Sequence, residues 1–120
     1  MTETHLTAPV DERSKGALAD SGLRLSLVDP TDKAALDAWI IADFRGFHGR
    51  RPTEEVLEEA RGNFGGRRTT AVYDDGVSTP VGTVNSWVAP LTVPGGAALE
   101  AWAISSVTVA PTHRRRGIAT

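Results

Sequence analysis

Residues Val107–Thr120 read VTVAPTHRRRGIAT: a β-branched apolar run, a proline, three arginines, then Gly-x-Ala. Pro111 cannot donate to a strand ladder, so pairing loosens there. Gly117-Ile118-Ala119-Thr120 is then placed to open a helix. Amides at a helix N-terminus have no intrahelical partner, and the macrodipole puts about half a positive charge there. Gly117 has no Cβ to keep an anion from the backbone, and Ala119 is the next smallest choice. Arg114, Arg115 and Arg116 crowd the same point with guanidinium groups, which pair with phosphate in a bidentate way. The junction predicts an anion site.

Working back toward the N-terminus, Ala101–Val109 is nearly free of charge. A strand apolar on both faces is expected to be central and covered on both sides. Val93-Pro94-Gly95-Gly96 is a turn, with Gly95 supplying a positive φ. Thr69–Tyr73 and Val81–Val88 are β-rich runs around Asp74-Asp75-Gly76, a hairpin, with Pro90 expected to end the second strand. Two helices precede them. Leu36, Trp39, Ile40 and Phe44 recur on one helical face, after DPTD, where Asp29 is the expected cap and Pro30 the first helical residue. Thr53 caps a second helix bearing Val56, Leu57 and Ala60. Its Glu54, Glu55, Glu58 and Glu59 suit the dipole and read as a solvated face. Leu23, Leu25 and Leu27 alternate with Arg24 and Ser26 as a half-buried strand. Residues 1–20 are polar and without sustained period, and are expected to form a flexible leader that adds little to the core.

The 120 residues suit one small domain, here residues 21–120, in the order β-α-α-β-β-β followed by the start of a helix. The fold class is α+β, with a mixed α/β sheet. A net charge of −2 argues against a nucleic-acid partner. The chain has no cysteine, which removes disulfides, thiolate metal sites and a cysteine nucleophile. His5, His48 and His113 have no ligand-like spacing, so no metal is expected. No run approaches a membrane span, and the first twenty residues lack signal-peptide order. A cytoplasmic protein is expected.

Arg114-Arg115-Arg116-Gly117-Ile118-Ala119 resembles the acyl-CoA-binding motif of the GNAT N-acetyltransferase superfamily, (Gln/Arg)-x-x-Gly-x-(Gly/Ala). The strand-to-loop run Val107-Thr108-Val109-Ala110-Pro111-Thr112-His113-Arg114 resembles the family's approach to that motif, and the element order matches the first half of the fold. PLTVPGG at Pro90–Gly96, followed by SSVTVAPTHRRRG, looks like the enhanced-intracellular-survival (Eis) type. Members of that type acetylate amines on bulky cationic substrates such as aminoglycosides, and some modify lysine side chains.

The resemblance implies acetyl-CoA as co-substrate, with a primary amine of a small molecule or lysine attacking the thioester directly. Backbone amides of Val107 and Val109 are implied to hold the pantetheine and polarise the thioester carbonyl. Arg114, Arg115, Arg116, Gly117, Ile118, Ala119 and Thr120 are implied to hold the pyrophosphate. Phe44, Phe47 and Ser106 are candidates for the acceptor side, although aromatic residues at helical spacing, Trp39 included, read equally as core. Ser105 and Ser106 read equally as marks of close packing. His48 reads as an exposed loop histidine rather than a base.

The Eis-type general acid is a later tyrosine and its base a C-terminal carboxylate. Neither has a counterpart here, and Tyr73 in the early hairpin does not fill the role. An acidic pocket residue of that type aligns with Arg45 or Gly46. The expectation is a fragment inactive on its own, homo-oligomeric through an unpaired strand edge. A non-catalytic phosphate- or nucleotide-binding module using the same junction is the alternative.

Overall fold

The alternating leucines form β1 (Leu23–Leu27), and the computed structural model, which describes residues 4–47 and 49–119, builds the rest around it. Helices α1 (Thr4–Thr7) and α2 (Glu12–Ala19) precede it, and α3 (Lys33–Gly46) and α4 (Glu54–Phe64) follow. The chain then runs through β2 (Arg68–Asp74), β3 (Gly82–Thr92), β4 (Ala98–Val109) and a 3-10 turn, Pro111–His113. The α+β class holds. The sheet expected to be mixed is antiparallel throughout its described strands, in the order β1-β2-β3-β4.

Strand alternation divides the core between the two faces of this sheet. Ala71 and Tyr73 of β2 join Leu36, Trp39 and Ile40 of α3, Ala60 of α4, and Val28. The Trp39 indole meets the Phe64 ring edge-on at 5.0 Å and donates from Nε1 to the Thr70 carbonyl at 3.0 Å. Val72, between Ala71 and Tyr73, faces the other way, into a cluster with Leu18, Leu23, Val81 and Ala110.

Leu18 lies in the segment read as a leader adding little to the core, and that reading is corrected. Asp11 caps α2 by accepting from the Ser14 amide at 3.0 Å. Leu18 is the one buried residue of the helix, so a single apolar contact replaces the stripe that periodicity looks for. At α3 the expected cap moves by three residues. The Asp29 carboxylate is taken by the Thr31 amide and hydroxyl at 2.9 and 2.7 Å, an Asx turn, and Asp32 caps the helix through the Ala35 amide at 3.1 Å. Thr53 caps α4 as expected, accepting from the Val56 amide at 3.3 Å.

β3 runs past Pro90 instead of ending there. Its pairing with β2 reaches only Ser86, so beyond that point one side of β3 is open and a missing amide costs little. β4 leaves an edge of the described sheet unpaired, as expected, but it is not covered on both faces: Trp102, Ile104 and Val107 are all more than half exposed. Gly117, expected as the first residue of a helix, is not itself in helical conformation. Gly117 has φ 71° and Arg115 φ 64°, both left-handed, whereas a first helical turn needs consecutive residues at negative φ.

Two contacts fix α3. Its outer face is tied to α4 by Arg61, which donates from Nε and Nη2 to the two Asp37 carboxylate oxygens at 2.6 and 2.8 Å and also reaches Glu54 at 3.1 Å. Its last turn presses on β4, where a Cβ added to Gly46 would lie 2.3 Å from the Thr108 Cβ. Gly46→Ala is therefore expected to lower the free energy of unfolding by about 1–3 kcal/mol. Urea titration measures this, and an unchanged midpoint would show that α3 has room to retreat.

Arg61 holds the Asp37 carboxyl below its ordinary value of 3.8. A depressed carboxyl stabilises the fold above its unfolded pKa and loses that contribution as pH falls through the folded one. The stability advantage of the native chain over Asp37→Asn should thus be full at pH 7 and fade below the ordinary aspartate range. Thermal melts across acidic pH measure this, and an advantage that persisted once Asp37 was protonated would remove the ion pair as its cause.

Candidate functional site

The site is built on an irregularity of β4. Thr83 pairs with Thr108 and Asn85 with Ser105, so Val84 alone faces Ser106 and Val107. This is a β-bulge, and Ser106 takes the left-handed conformation at φ 55°. Such a conformation is costly for a residue other than glycine and persists only where neighbours hold it. The Thr83 hydroxyl donates to the Ser106 carbonyl at 2.7 Å and lies 2.5 Å from the Thr108 hydroxyl.

Asp43 is 6% exposed, and its Oδ1 has no partner among the described residues. Burial pushes its carboxyl above the ordinary aspartate range, and the neighbouring Ser106 hydroxyl draws it only partly back.

Past the bulge the chain is pinned at three points. The Ala110 amide donates to the Val81 carbonyl at 2.8 Å. His113 Nε2 meets Asp74 Oδ2 at 2.7 Å, and its Nδ1 meets the Thr112 hydroxyl at 2.7 Å. The His113 hydrogen bond is the main reason the Asp74 carboxyl lies below its ordinary value. Ile118 then packs on the second core cluster, close enough to Gly82 that a Cβ there would sit 2.6 Å from its Cγ2.

Between α2, the sheet and this loop lies a cavity of about 780 Å³. Val107, Arg116, Gly117, Ile118 and Ala119 line it together with Leu18, Val72 and Ile104. Its lining holds two arginines, Arg13 and Arg116, and no carboxylate. The left-handed residues at 115 and 117 curl the loop backbone, the kind of conformation in which successive amides form an anion-binding concavity.

The other sequence candidates lie elsewhere. Val109 is half-buried, paired with Gly82 on the strand, and Arg114 and Arg115 are exposed outside the cavity. Ser106 faces α3. Phe44 packs against the first core cluster, and Phe47, just past the end of α3, is 63% exposed. Thr120 and His48 lie outside the described residues. Among the described residues no group of three or more His, Asp or Glu is placed to hold a metal, and no helix is long and apolar enough to cross a membrane.

Sequence reasoning missed Asp43, Asp74, Arg13 and Leu18. Asp43 had a visible signal, since it follows Leu36 and Ile40 at seven and three residues and so shares the apolar face. Asp74 was read only as a turn residue, and nothing local joins it to His113, 39 positions away.

The family model for the acetyltransferase (GNAT) domain matches residues 28–120. An uncharacterized N-acetyltransferase of Streptomyces griseus is 37% identical over 97 residues, covering 80% of this chain and 22% of the relative. One of Streptomyces coelicolor is 40% identical over 86 residues, covering 70% and 21%. The chain therefore spans about a fifth of the length of the curated relatives it matches. Among solved structures, a probable N-acyltransferase from Enterococcus faecalis superposes with a TM-score of 0.63 at 15% identity, over 79% of this chain and 22% of that one. An aminoglycoside antibiotic 6′-N-acetyltransferase from Acinetobacter baumannii does so with 0.60 at 20% identity, over 82% and 64%. These likenesses concern the fold. The family match takes in β4, its bulge and the arginine loop, and the chain belongs to the GNAT acetyltransferase family.

Proposed function

We propose that this chain carries the acetyl-CoA-binding part of an N-acetyltransferase, of the Eis type, that acetylates a primary amine on a small molecule or a lysine. The observation that carries the reading is the cavity in which Val107 of the bulged strand meets Arg116–Ala119, with two arginines and no carboxylate in its lining. The aminoglycoside acetyltransferase of similar fold favours an amine acceptor. Availability of the co-substrate favours the cytoplasm.

Acetyl-CoA supplies, when bound, an acyl group activated as a thioester. Arg116, with the exposed Arg114 and Arg115, offers guanidinium groups to the pyrophosphate, and Gly117 leaves the backbone open to it. Backbone amides of β4 at Val107 and Val109 donate to the pantetheine and to the thioester carbonyl. Fixed donors of this kind stabilise negative charge as it develops on oxygen. The exposed Phe47, with Phe44 and Ser106, borders the acceptor side, and holding amine and thioester together lowers the barrier further. The sequence has no cysteine to form an acyl-enzyme, which suits direct attack by the amine. No residue of this chain is assigned as general acid or base. Tyr73 is unsuited: it packs in the first core cluster, outside the lining of the cavity, with the Arg24 guanidinium stacked 4.5 Å from its ring centroid.

Isothermal titration tests the reading. CoA should bind and ATP should not, and Arg114→Ala should weaken CoA by about tenfold, the scale of one charge-assisted contact. Equal binding of CoA and ATP would favour a non-catalytic phosphate or nucleotide module instead.

The open β4 edge, with Ile104 65% and Val107 51% exposed, favours self-association of this chain. Light scattering should find a dimer or larger species in the native chain and a monomer in Ile104→Lys. A native monomer at high concentration would sink this part of the proposal.

A further inference from the structure

Helix α2 lies ahead of residues 28–120, which the family model matches, and it supplies one wall of the cavity. Arg13, Ser14, Ala17, Leu18 and Ser21 all line that wall. Their spacing of three and four residues puts them on one helical face, which continues into the turn that ends the helix. The face is held at two points. Leu18 is buried in the second core cluster, against which Ile118 of the arginine loop also packs. Arg116 Nη2 donates to the Ser21 carbonyl at 3.4 Å. The C-terminal end of α2 and the arginine loop therefore meet across the rim of the cavity.

Arg13 stands at the opposite end of the same face. It is exposed and has no ion-pair partner among the described residues, whereas Arg61 is taken by Asp37 and Glu54. The Asp11 carboxylate, two residues away, is committed to the helix cap and accepts from the Ser14 amide and hydroxyl at 3.0 and 2.7 Å. With no carboxylate in the lining, Arg13 and Arg116 are the two charged groups that face the cavity's contents. A helix rises about 1.5 Å per residue, so Arg13 is rooted about 10 Å from Asp20, the C-cap beside Ser21. The two guanidinium groups spring from opposite ends of one wall. A single diphosphate is met by the loop alone, and a ligand with a second, separate phosphate engages both ends. Coenzyme A has this form, with a diphosphate at the 5′ position of its ribose and a further phosphate at the 3′ position.

We propose that Arg13 binds the ribose 3′-phosphate of CoA while the arginine loop holds the diphosphate, so that α2 selects CoA over nucleotides lacking that group. The inference rests on the reading of this cavity as the CoA site, and it extends the site to a helix outside the matched residues. Guanidinium suits the task, because it pairs with phosphate through two parallel N–H bonds and keeps its charge at any physiological pH. Leu18 and the Ser21 contact already hold α2 in place, so binding has only the arginine side chain to immobilise.

Isothermal titration with CoA and with dephospho-CoA, which lacks only the 3′-phosphate, provides the test. The native chain should bind CoA about tenfold more tightly than dephospho-CoA, the scale of one charge-assisted contact. Arg13→Ala should weaken CoA about tenfold and leave dephospho-CoA unchanged, so that the preference disappears. Arg13→Lys keeps the charge without the fork and should retain about a threefold preference. Arg116→Ala should weaken both ligands alike and leave the preference in place. If circular dichroism shows that Arg13→Ala disturbs α2, Arg13→Gln, an uncharged residue of good helix propensity, must show the same selective loss. A native chain without the preference, or an Arg13→Ala chain that keeps it or loses equal affinity for both ligands, would overturn the role of Arg13 and leave the CoA site standing. A native chain that binds neither ligand would overturn the reading of the cavity itself, and the role of Arg13 with it.

Discussion

The last turn of α3 lies so close to β4 that one added carbon at Gly46 would overlap Thr108. Side chains usually keep helix and sheet about 10 Å apart, and here a glycine removes that spacing at one point. The approach brings Asp43, one turn earlier on the helix, near Ser106. It also leaves no room for a larger side chain at position 46 unless Thr108 moves. The seating of α3 on β4 follows from this one close contact.

β4 separates two environments that serve different purposes. On the α3 side, Thr83, Thr108 and Ser106 form a buried polar cluster tied by directional bonds. On the opposite side, Leu18, Val72 and Ile118 surround the floor of an apolar cavity whose rim carries arginine. The polar cluster specifies backbone direction, which apolar packing does poorly because dispersion contacts are not directional. The apolar side provides volume and leaves charge to the loop. This division lets one strand hold a fixed amide and border an open site.

The sequence made the architecture legible wherever a local pattern carried it. Period-2 leucines gave β1, the spacing of Leu36, Trp39 and Ile40 gave α3, and Arg114–Ala119 pointed to the anion loop. It misled where a local signal competed with a tertiary one. Gly117 resembled a helix entry, but its left-handed φ belongs to a curled loop. Pro90 resembled a strand end, but it sits where β3 has lost its β2 neighbour. The uncharged run of β4 resembled a covered central strand, whereas its outer face is exposed at Trp102, Ile104 and Val107. α2 escaped notice because one leucine carries its burial. The polar pairs of the site join residues far apart in sequence, and no window of local pattern contains both partners.

Two non-glycine residues in the left-handed region, Ser106 and Arg115, bracket the segment that forms the site. Each lies beside a contact to an aspartate from another element. Asp43 of α3 lies near Ser106, and Asp74 of β2 meets His113 at 2.7 Å, two residues before Arg115. An edge strand and a surface loop have few apolar neighbours from which to draw rigidity. A carboxylate can replace many weak contacts with one directional bond, and it needs its support only at a single point. Asp74 draws on His113 and lies within electrostatic reach of Arg116, so it steadies the arginine loop without occupying the cavity. Asp74 thus stands behind the loop and leaves the rim of the cavity to arginine.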